Sequence, residues 1–251
     1  MSQVVAENIS VKFSRHKSEP RTALAETDLA IDEGDFVCLL GPSGCGKSTL
    51  LNVIGGLTVA STGTVTVGGQ VITNPGPDRG MVFQNYSLYP WLTVRGNVEF
   101  GLRLNNWPAQ RVRTVAGELI DLVGLTDYAD QYPKVLSGGM RQRVAIARAL
   151  ALEPKVLLMD EPFGALDAQT RSRMQELLLD IWARKRTTVL FVTHDIEEAI
   201  YLADRVLVMS TGPGRIVEDF RIDLPRPRVA DVVASREFTE YRRQMLSLLR
   251  H

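Results

Sequence analysis

The sequence predicts an α/β domain with a mostly parallel sheet, and three features of its 251 residues carry that prediction. Short, continuously apolar runs such as "FVCLLG" and "KVLLMDE" suit strands buried on both faces. Amphipathic helical stretches alternate with these runs, as they do in doubly covered sheets. The first 32 residues differ, alternating apolar and polar side chains as half-buried antiparallel strands do.

Taken in order, "ENISVKF" and "ALAETDLAI" are the alternating strands of an N-terminal antiparallel β-subdomain. "FVCLLG" is the first buried strand and "KSTLLNVIGGL" the helix after it. "GTVTVGGQVI" reads as a hairpin and "GMVFQ" as a short strand. From about residue 85 to 151 the pattern is helical, clearest in "RVRTVAGELIDLVGL", and forms an inserted α-helical subdomain. Buried strands return in "KVLLMDE", "TTVLFVTHD" and "DRVLVMS". Between the first two, Met174, Leu177, Leu178, Ile181 and Trp182 mark one helical face. The main domain is expected to span 1–222. A C-terminal extension, 223–251, follows with a docking helix whose stripe is Phe238, Tyr241, Met245 and Leu248. The sequence shows no internal repeat and no low-complexity linker.

Composition narrows the function. Hydrophobic residues make up 45% of the chain, enough for a full core. Lys plus Arg equals Asp plus Glu at 29 each, so no global field favours nucleic acid or an acidic membrane surface. Two cysteines, Cys38 and Cys45, cannot make a metal cluster and suit a reducing compartment. "MSQVVAENIS" has neither a basic start nor an apolar core, so no signal peptide is expected. No apolar run approaches the ~18 residues of a membrane span. A membrane role must go through a partner.

The residues from Gly41 to Ser48 fit G-x-x-x-x-G-K-[ST], after a buried strand and before a helix. Gly41, Pro42, Ser43, Gly44, Cys45 and Gly46 let successive backbone N–H groups curl around phosphates. Lys47 places charge on the β and γ phosphates, Ser48 can ligate Mg²⁺, and Thr49 continues the cradle. "VLLMDEP" puts carboxylates at the end of a central strand. There Asp160 would hold Mg²⁺ and Glu161 would accept a proton from the attacking water. Gln84, ending "GMVFQ", could reach metal and water through its amide oxygen. His194, ending "TTVLFVTHD", could donate to the γ-phosphate and hold the Glu161–water geometry.

A second anion cradle stands far away in "LSGGMRQR". Ser137 can cap a helix there, and Gly138 and Gly139 leave its first N–H groups open. Arg141 and Arg143 lie in the first turns, where the macrodipole disfavours cations unless something negative sits nearby. One phosphate tail cannot fill two complete cradles of one chain. The second is therefore expected to serve the nucleotide of a second chain.

Together the phosphate loop, Gln84, "LSGG", "LLMDEP", "GALD" and "THD", in this order, resemble the ATP-binding subunit of an ABC transporter, over about residues 3 to 222. The resemblance implies the P-loop NTPase fold, ATP and Mg²⁺ as cofactors, and two subunits facing head to tail. Each ATP would lie between one chain's phosphate loop and the other's Ser137, Gly138 and Gly139. Asp167 of "GALD" would link the two sites, and Phe13 of "VKF" would stack on adenine. Met140 departs from the family's usual glutamine. The partners implied are an identical or paralogous ATP-binding subunit, an integral membrane permease and, indirectly, an extracytoplasmic substrate-binding protein. The expected place is the cytoplasmic face of the inner membrane, as a peripheral protein.

Within the family, "PGPDRGMVFQNYSLYPWLTVRGNVEFGL" and "STGPGRIVEDFRIDLPRPR" are similar to the nitrate, taurine, aliphatic sulfonate and bicarbonate importers. The chain also stops soon after the core, without the β-domain appended in sugar importers. In "NYSLYPWLTV", Leu88 and Leu92 suit packing, while the aromatics suit the groove that in this family receives a permease helix. Alternatives are an importer subunit for another small solute or a soluble ABC-type ATPase not tied to transport. The latter would come as paired cassettes or cassettes split by coiled coils, and this chain has neither. A phosphate-loop kinase would have no use for "LSGGMRQR".

Overall fold

A computed structural model describes residues 2–13 and 21–249. In it β1 (Ser2–Phe13) pairs antiparallel with β2 (Arg21–Asp32) on one side and β4 (Thr62–Val67) on the other. A short β5 (Gln70–Val71) forms the expected hairpin with β4. The second sheet holds five parallel strands: β9 (Arg205–Ser210), β3 (Phe36–Leu40), β8 (Thr188–Thr193), β7 (Val156–Asp160) and β6 (Arg79–Val82), side by side in that order. An edge strand, β10 (Arg215–Arg221), runs antiparallel to β9.

Side-chain alternation explains why the central strands read as unbroken apolar runs. Val37 and Leu39 of β3 face one core, with β1, β2 and helix α1 (Lys47–Ile54). Phe36, Cys38 and Leu40 face the other, beneath the helices. A strand covered on both sides has no polar positions to alternate. The helical cover comprises α2 (Val94–Leu104), α3 (Ala109–Leu122), α4 (Gly138–Leu150), α5 (Ala168–Lys185), α6 (Ile196–Leu202) and α7 (Arg236–Leu249). Among the described residues no helix is long and apolar enough to cross a membrane.

The helical interval opens later than the pattern suggests, at Val94 and not near Asn85. The stretch before it is held irregular from outside. Buried Asn97 accepts from the Tyr89 N–H and donates to the carbonyls of Tyr89, Leu92 and Thr93. In α7, Phe238 and Met245 are buried and Tyr241 packs beside them, but Leu248 is exposed and Leu249 takes its place. Three helical turns from Phe238 come round at Leu249, not one residue earlier. This helix packs on the chain's own α6 and β9.

The segment leading to α7 is anchored by Arg228, only 6% exposed. Its Nη1 donates to the carbonyls of Ile200, Tyr201 and Ala203 at 3.0, 3.0 and 2.6 Å. Those are orphan acceptors at the end of α6. Burial pulls the guanidinium down to about 10, so it stays protonated at neutral pH. Arg228→Met should cost about 2–4 kcal/mol and lower the thermal midpoint by roughly 5–10 °C. An unchanged melting curve would show that the extension is held by its apolar contacts alone.

Candidate active site

The carboxyl ends of β3, β8 and β7 lie next to one another, and each is followed by one of the loops singled out above. Open parallel sheets hold ligands along this edge. After β3, Gly44 and Gly46 adopt φ of 79° and 97°, the left-handed region that turns successive N–H groups inward. A Cβ on Gly46 would stand 2.9 Å from the Ala23 carbonyl oxygen, and one on Gly41 2.7 Å from that of Met209. Pro42, Ser43 and Gly44 form the exposed lip, Cys45 is buried beneath it, and Thr49 follows in α1. Lys47, 4% exposed, donates from Nζ to the carbonyls of Gly41 and Pro42 at 2.7 and 3.0 Å, placing its charge at the centre of the loop. Cys38 and Cys45 are free thiols. Phe13 is half exposed and pairs with Arg21, just before the Ala23 that abuts Gly46. The polar residues after it, 14–20, lie outside the described residues.

At the end of β7, Asp160 Oδ1 accepts a 2.9 Å hydrogen bond from Ser48 Oγ. Burial raises this carboxyl and nearby Glu161 raises it further, while the Ser48 hydrogen bond and Lys47 oppose them. Glu161 has φ of 43° and donates its N–H to the Val192 carbonyl at 3.0 Å. A non-glycine residue held there costs of order 1–3 kcal/mol. The turn sends its side chain to His194, with Oε2 at 2.9 Å from Nδ1. A Cβ added to Gly164 would lie 3.3 Å from Gln84 Nε2 and 3.9 Å from Glu161 Oε2. The amide and the carboxylate thus border a bare glycine, and the imidazole lines the same small cavity as that glycine and Glu161.

Ser137 and Asp167 form a separate group at the N-termini of α4 and α5. Ser137 Oγ accepts from the Met140 N–H at 3.2 Å, so one of the N–H groups expected to be open is satisfied within the helix. Asp167 Oδ1 accepts from the Thr170 N–H at 2.9 Å, which holds its carboxyl below the usual range. Both caps are exposed. The helix starts touch, since a Cβ on Gly139 would meet Thr170 Cγ2 at 2.7 Å. Gly138 faces the Tyr86 hydroxyl. Ser137, Gly139, Met140 and Thr170 line an open cleft of about 250 Å³. Among the described residues no hydrogen bond joins Ser137 or Asp167 to Lys47, Ser48, Asp160, Glu161 or His194.

The arginines of this helix are placed differently from the sequence reading. Arg143 donates to the Val123 carbonyl at the end of α3, at 3.2 Å, so its offset is a helix C-terminus and not an anion. Arg141 lies over the Tyr86 ring, 5.5 Å from its centre. Sequence reasoning missed Arg148, which donates to the carbonyls of Ser87 and Tyr86 at 2.6 and 3.2 Å. Those two residues hold positive φ of 49° and 28°. It also missed Asn97, which reads as one more polar residue among Arg95, Glu99 and Arg103 of the same helix.

With this geometry in view, the sequence profile described as "ABC transporter" matches residues 24–164. The chain belongs to the ABC transporter family. It is an ATP-binding, ATP-hydrolysing subunit of that family. It is 52% identical to the nitrate import ATP-binding protein NrtD of Synechocystis sp. over 91% of this chain and 88% of that one. Identity to the bicarbonate transport ATP-binding protein CmpC of Synechococcus elongatus is 48%, over 98% of this chain and 38% of the longer relative. Among solved structures, the ATP-binding cassette MJ0796, in a dimeric post-hydrolysis state bound to ADP and Pi, superposes with a TM-score of 0.76. That similarity carries 34% identity over 88% of this chain and all of the other.

Proposed function

We propose that this ABC subunit hydrolyses Mg²⁺-ATP at sites shared between two chains and drives uptake of a small anion through a membrane permease. The observation that carries the hydrolytic part is the 2.9 Å contact of Glu161 with His194 beside Gln84, at the strand edge that holds Lys47. Lys47 holds the β and γ phosphates within the glycine loop, and Phe13 covers the adenine. Glu161 receives the proton of the attacking water on its carboxylate, which Gln84 and His194 keep aimed at the γ-phosphate. His194 stands between Glu161, which its Nδ1 contacts, and the phosphate, which its Nε2 faces.

The residues present fit Mg²⁺. Ser48 Oγ and Asp160 Oδ1 offer hard oxygens 2.9 Å apart, and the Gln84 amide oxygen would be a third. No cluster of three His, Cys, Asp or Glu suits a metal among the described residues, so the protein supplies only part of a shell. Such partial oxygen sets suit Mg²⁺, which keeps waters and phosphate ligands. When bound, Mg²⁺ neutralises charge developing on the phosphate oxygens. Phosphate release by the purified chain should require ATP and stop on chelation with EDTA. Release that persists in EDTA would remove the metal assignment.

The separation of Ser137, Gly138, Gly139 and Asp167 from Lys47 within one chain supports a head-to-tail dimer, identical or paralogous. The dimeric state of the MJ0796 cassette supports it too. NrtD and CmpC support an importer of nitrate, bicarbonate or a similar anion such as taurine or an alkanesulfonate, fed by an extracytoplasmic binding protein. In this reading residues 85–151 act as a helical subdomain of a nucleotide-binding unit spanning 1–222, and the protein sits on the cytoplasmic face of the inner membrane.

Trp91 is the proposed permease anchor. It is 69% exposed, its ring tilted against that of Tyr89 with centres 5.5 Å apart, while Leu88 packs into the core. Trp91→Ala should leave folding and ATP affinity of the isolated subunit within about twofold, because exposed side chains carry little stability. In the reconstituted transporter it should lower assembly or transport per ATP. An unfolded isolated variant would place Trp91 in the core instead.

A further inference from the structure

Arg171 stands in the first turn of α5, where the macrodipole disfavours a cation. Its fork reaches two loops. Nη2 donates to the carbonyl of Leu166, the residue before Asp167, at 3.1 Å. Nη1 lies 3.6 Å from Oδ2 of Asp195, the residue after His194. One turn further along the same face, Gln175 donates to Glu198 Oε1 at 3.0 Å. Glu198 Oε2 accepts from the Thr193 hydroxyl at 2.6 Å, and that hydroxyl oxygen accepts from the Asp195 N–H at 3.0 Å. Asp195 Oδ1 meanwhile caps α6, accepting from the N–H groups of Glu197 and Glu198. Both sequence neighbours of His194 are therefore held from α5, whereas the imidazole itself is held by Glu161.

These groups enclose a cavity of about 40 Å³, lined by Arg171, Thr193, Asp195 and Glu198 on one side and by Glu161 and His194 on the other. That is room for one or two waters, and enough slack for the histidine loop to shift if its hold from α5 is released. Two loops with different tasks thus depend on one side chain. The Asp167 loop is exposed at the helix start, and the His194 loop faces the proposed base.

We propose that Arg171 is a positioning residue that couples docking of a second copy of this chain at Asp167 to the alignment of His194 against Glu161. The proposal rests on the reading of Asp167 as an inter-chain contact. Ordering of Asp167 by the partner fixes the Leu166 carbonyl, the guanidinium follows, and Asp195 draws the histidine loop into place. A lysine offers one nitrogen where the guanidinium sets two apart, Nη2 towards Leu166 and Nη1 towards Asp195, so it does not reproduce the bridge.

The test is a double-mutant cycle on the full chain, read as kcat at saturating ATP and as ATP affinity. Arg171→Met should leave affinity within about twofold and lower kcat by roughly ten- to a hundredfold, the scale of a small misplacement of a catalytic group. Asp167→Asn preserves the helix cap but not the charge, and should lower kcat alone. In the Arg171→Met background it should cost nothing more, because the link is already cut. Losses that multiply would overturn the Arg171 link alone. Wild-type kcat in Asp167→Asn by itself would overturn it through the reading beneath. Recovery of wild-type kcat by Arg171→Lys would also overturn it, since charge without the fork would then suffice. If Arg171→Met melts early, the same cycle with Asp195→Asn, which keeps the α6 cap, decides by the same criteria.

Discussion

Lys47→Ala should abolish measurable ATP hydrolysis and weaken ATP binding by about ten- to a hundredfold. A charge-assisted hydrogen bond contributes about 1.5–3 kcal/mol, which sets the affinity loss. Hydrolysis should suffer more, by roughly 10²–10³-fold beyond the binding loss, because the same ammonium faces charge that grows in the transition state. In the structure Nζ satisfies the carbonyls of Gly41 and Pro42 from within the loop, so the variant's melting point must be followed too. A melting curve close to wild type would confine the effect to the phosphate site. A folded Lys47→Ala protein with wild-type affinity would contradict the assignment. Titration with a fluorescent ATP analogue measures it.

Glu161→Gln should keep ATP binding and lower turnover by about 10²–10⁴-fold, the usual contribution of a positioned base. Gln preserves the size of the side chain and its hydrogen bond to His194. It can also keep the positive φ that the Val192 carbonyl imposes. With the proton acceptor gone, bound ATP should persist and hold two chains together, visible as a dimer peak in size-exclusion chromatography. Adding Ser137→Arg should dissolve that dimer, because the exposed cap would then project a bulky side chain into the shared cleft. Losing the cap costs about 1 kcal/mol by itself, so the melting point must be followed in parallel. Dimers indifferent to ATP and to position 137 would exclude the shared site.

How far the sequence could be read depended on whether local pattern or distant contacts decide the conformation. Phe36 to Leu40 were legible as a buried strand because each is covered by one core or the other. The phosphate loop was legible because its backbone needs glycine at the left-handed positions Gly44 and Gly46. The stretch between Gln84 and Val94 was not, since Arg148 and Asn97 hold it from other elements. Arg171 and Arg228 were opaque for a related reason. Each reads as a solvated charge on a helix or in a loop, and only the fold brings acceptors from separate segments to its guanidinium. The proposed site followed the same division. Residues in compact motifs, from Gly41 to Ser48 and from Asp160 to Glu161, could be named in advance. Residues that act only through contacts between distant elements, such as Asn97, Arg148 and Arg171, could not.

The central claim is that each hydrolytic site takes its phosphate loop from one chain and its Ser137 cradle from another. Mixing two inactive variants tests it most directly. Lys47→Ala spoils the loop and Ser137→Arg spoils the cradle, so each homodimer has two defective sites. A mixed dimer has one site with both defects and one with neither. The account predicts that phosphate release, absent from each variant alone, returns on mixing to roughly half the wild-type rate per mixed dimer, from one working site of two. A mixture as inactive as its components, at concentrations where chromatography shows mixed dimers, would contradict it.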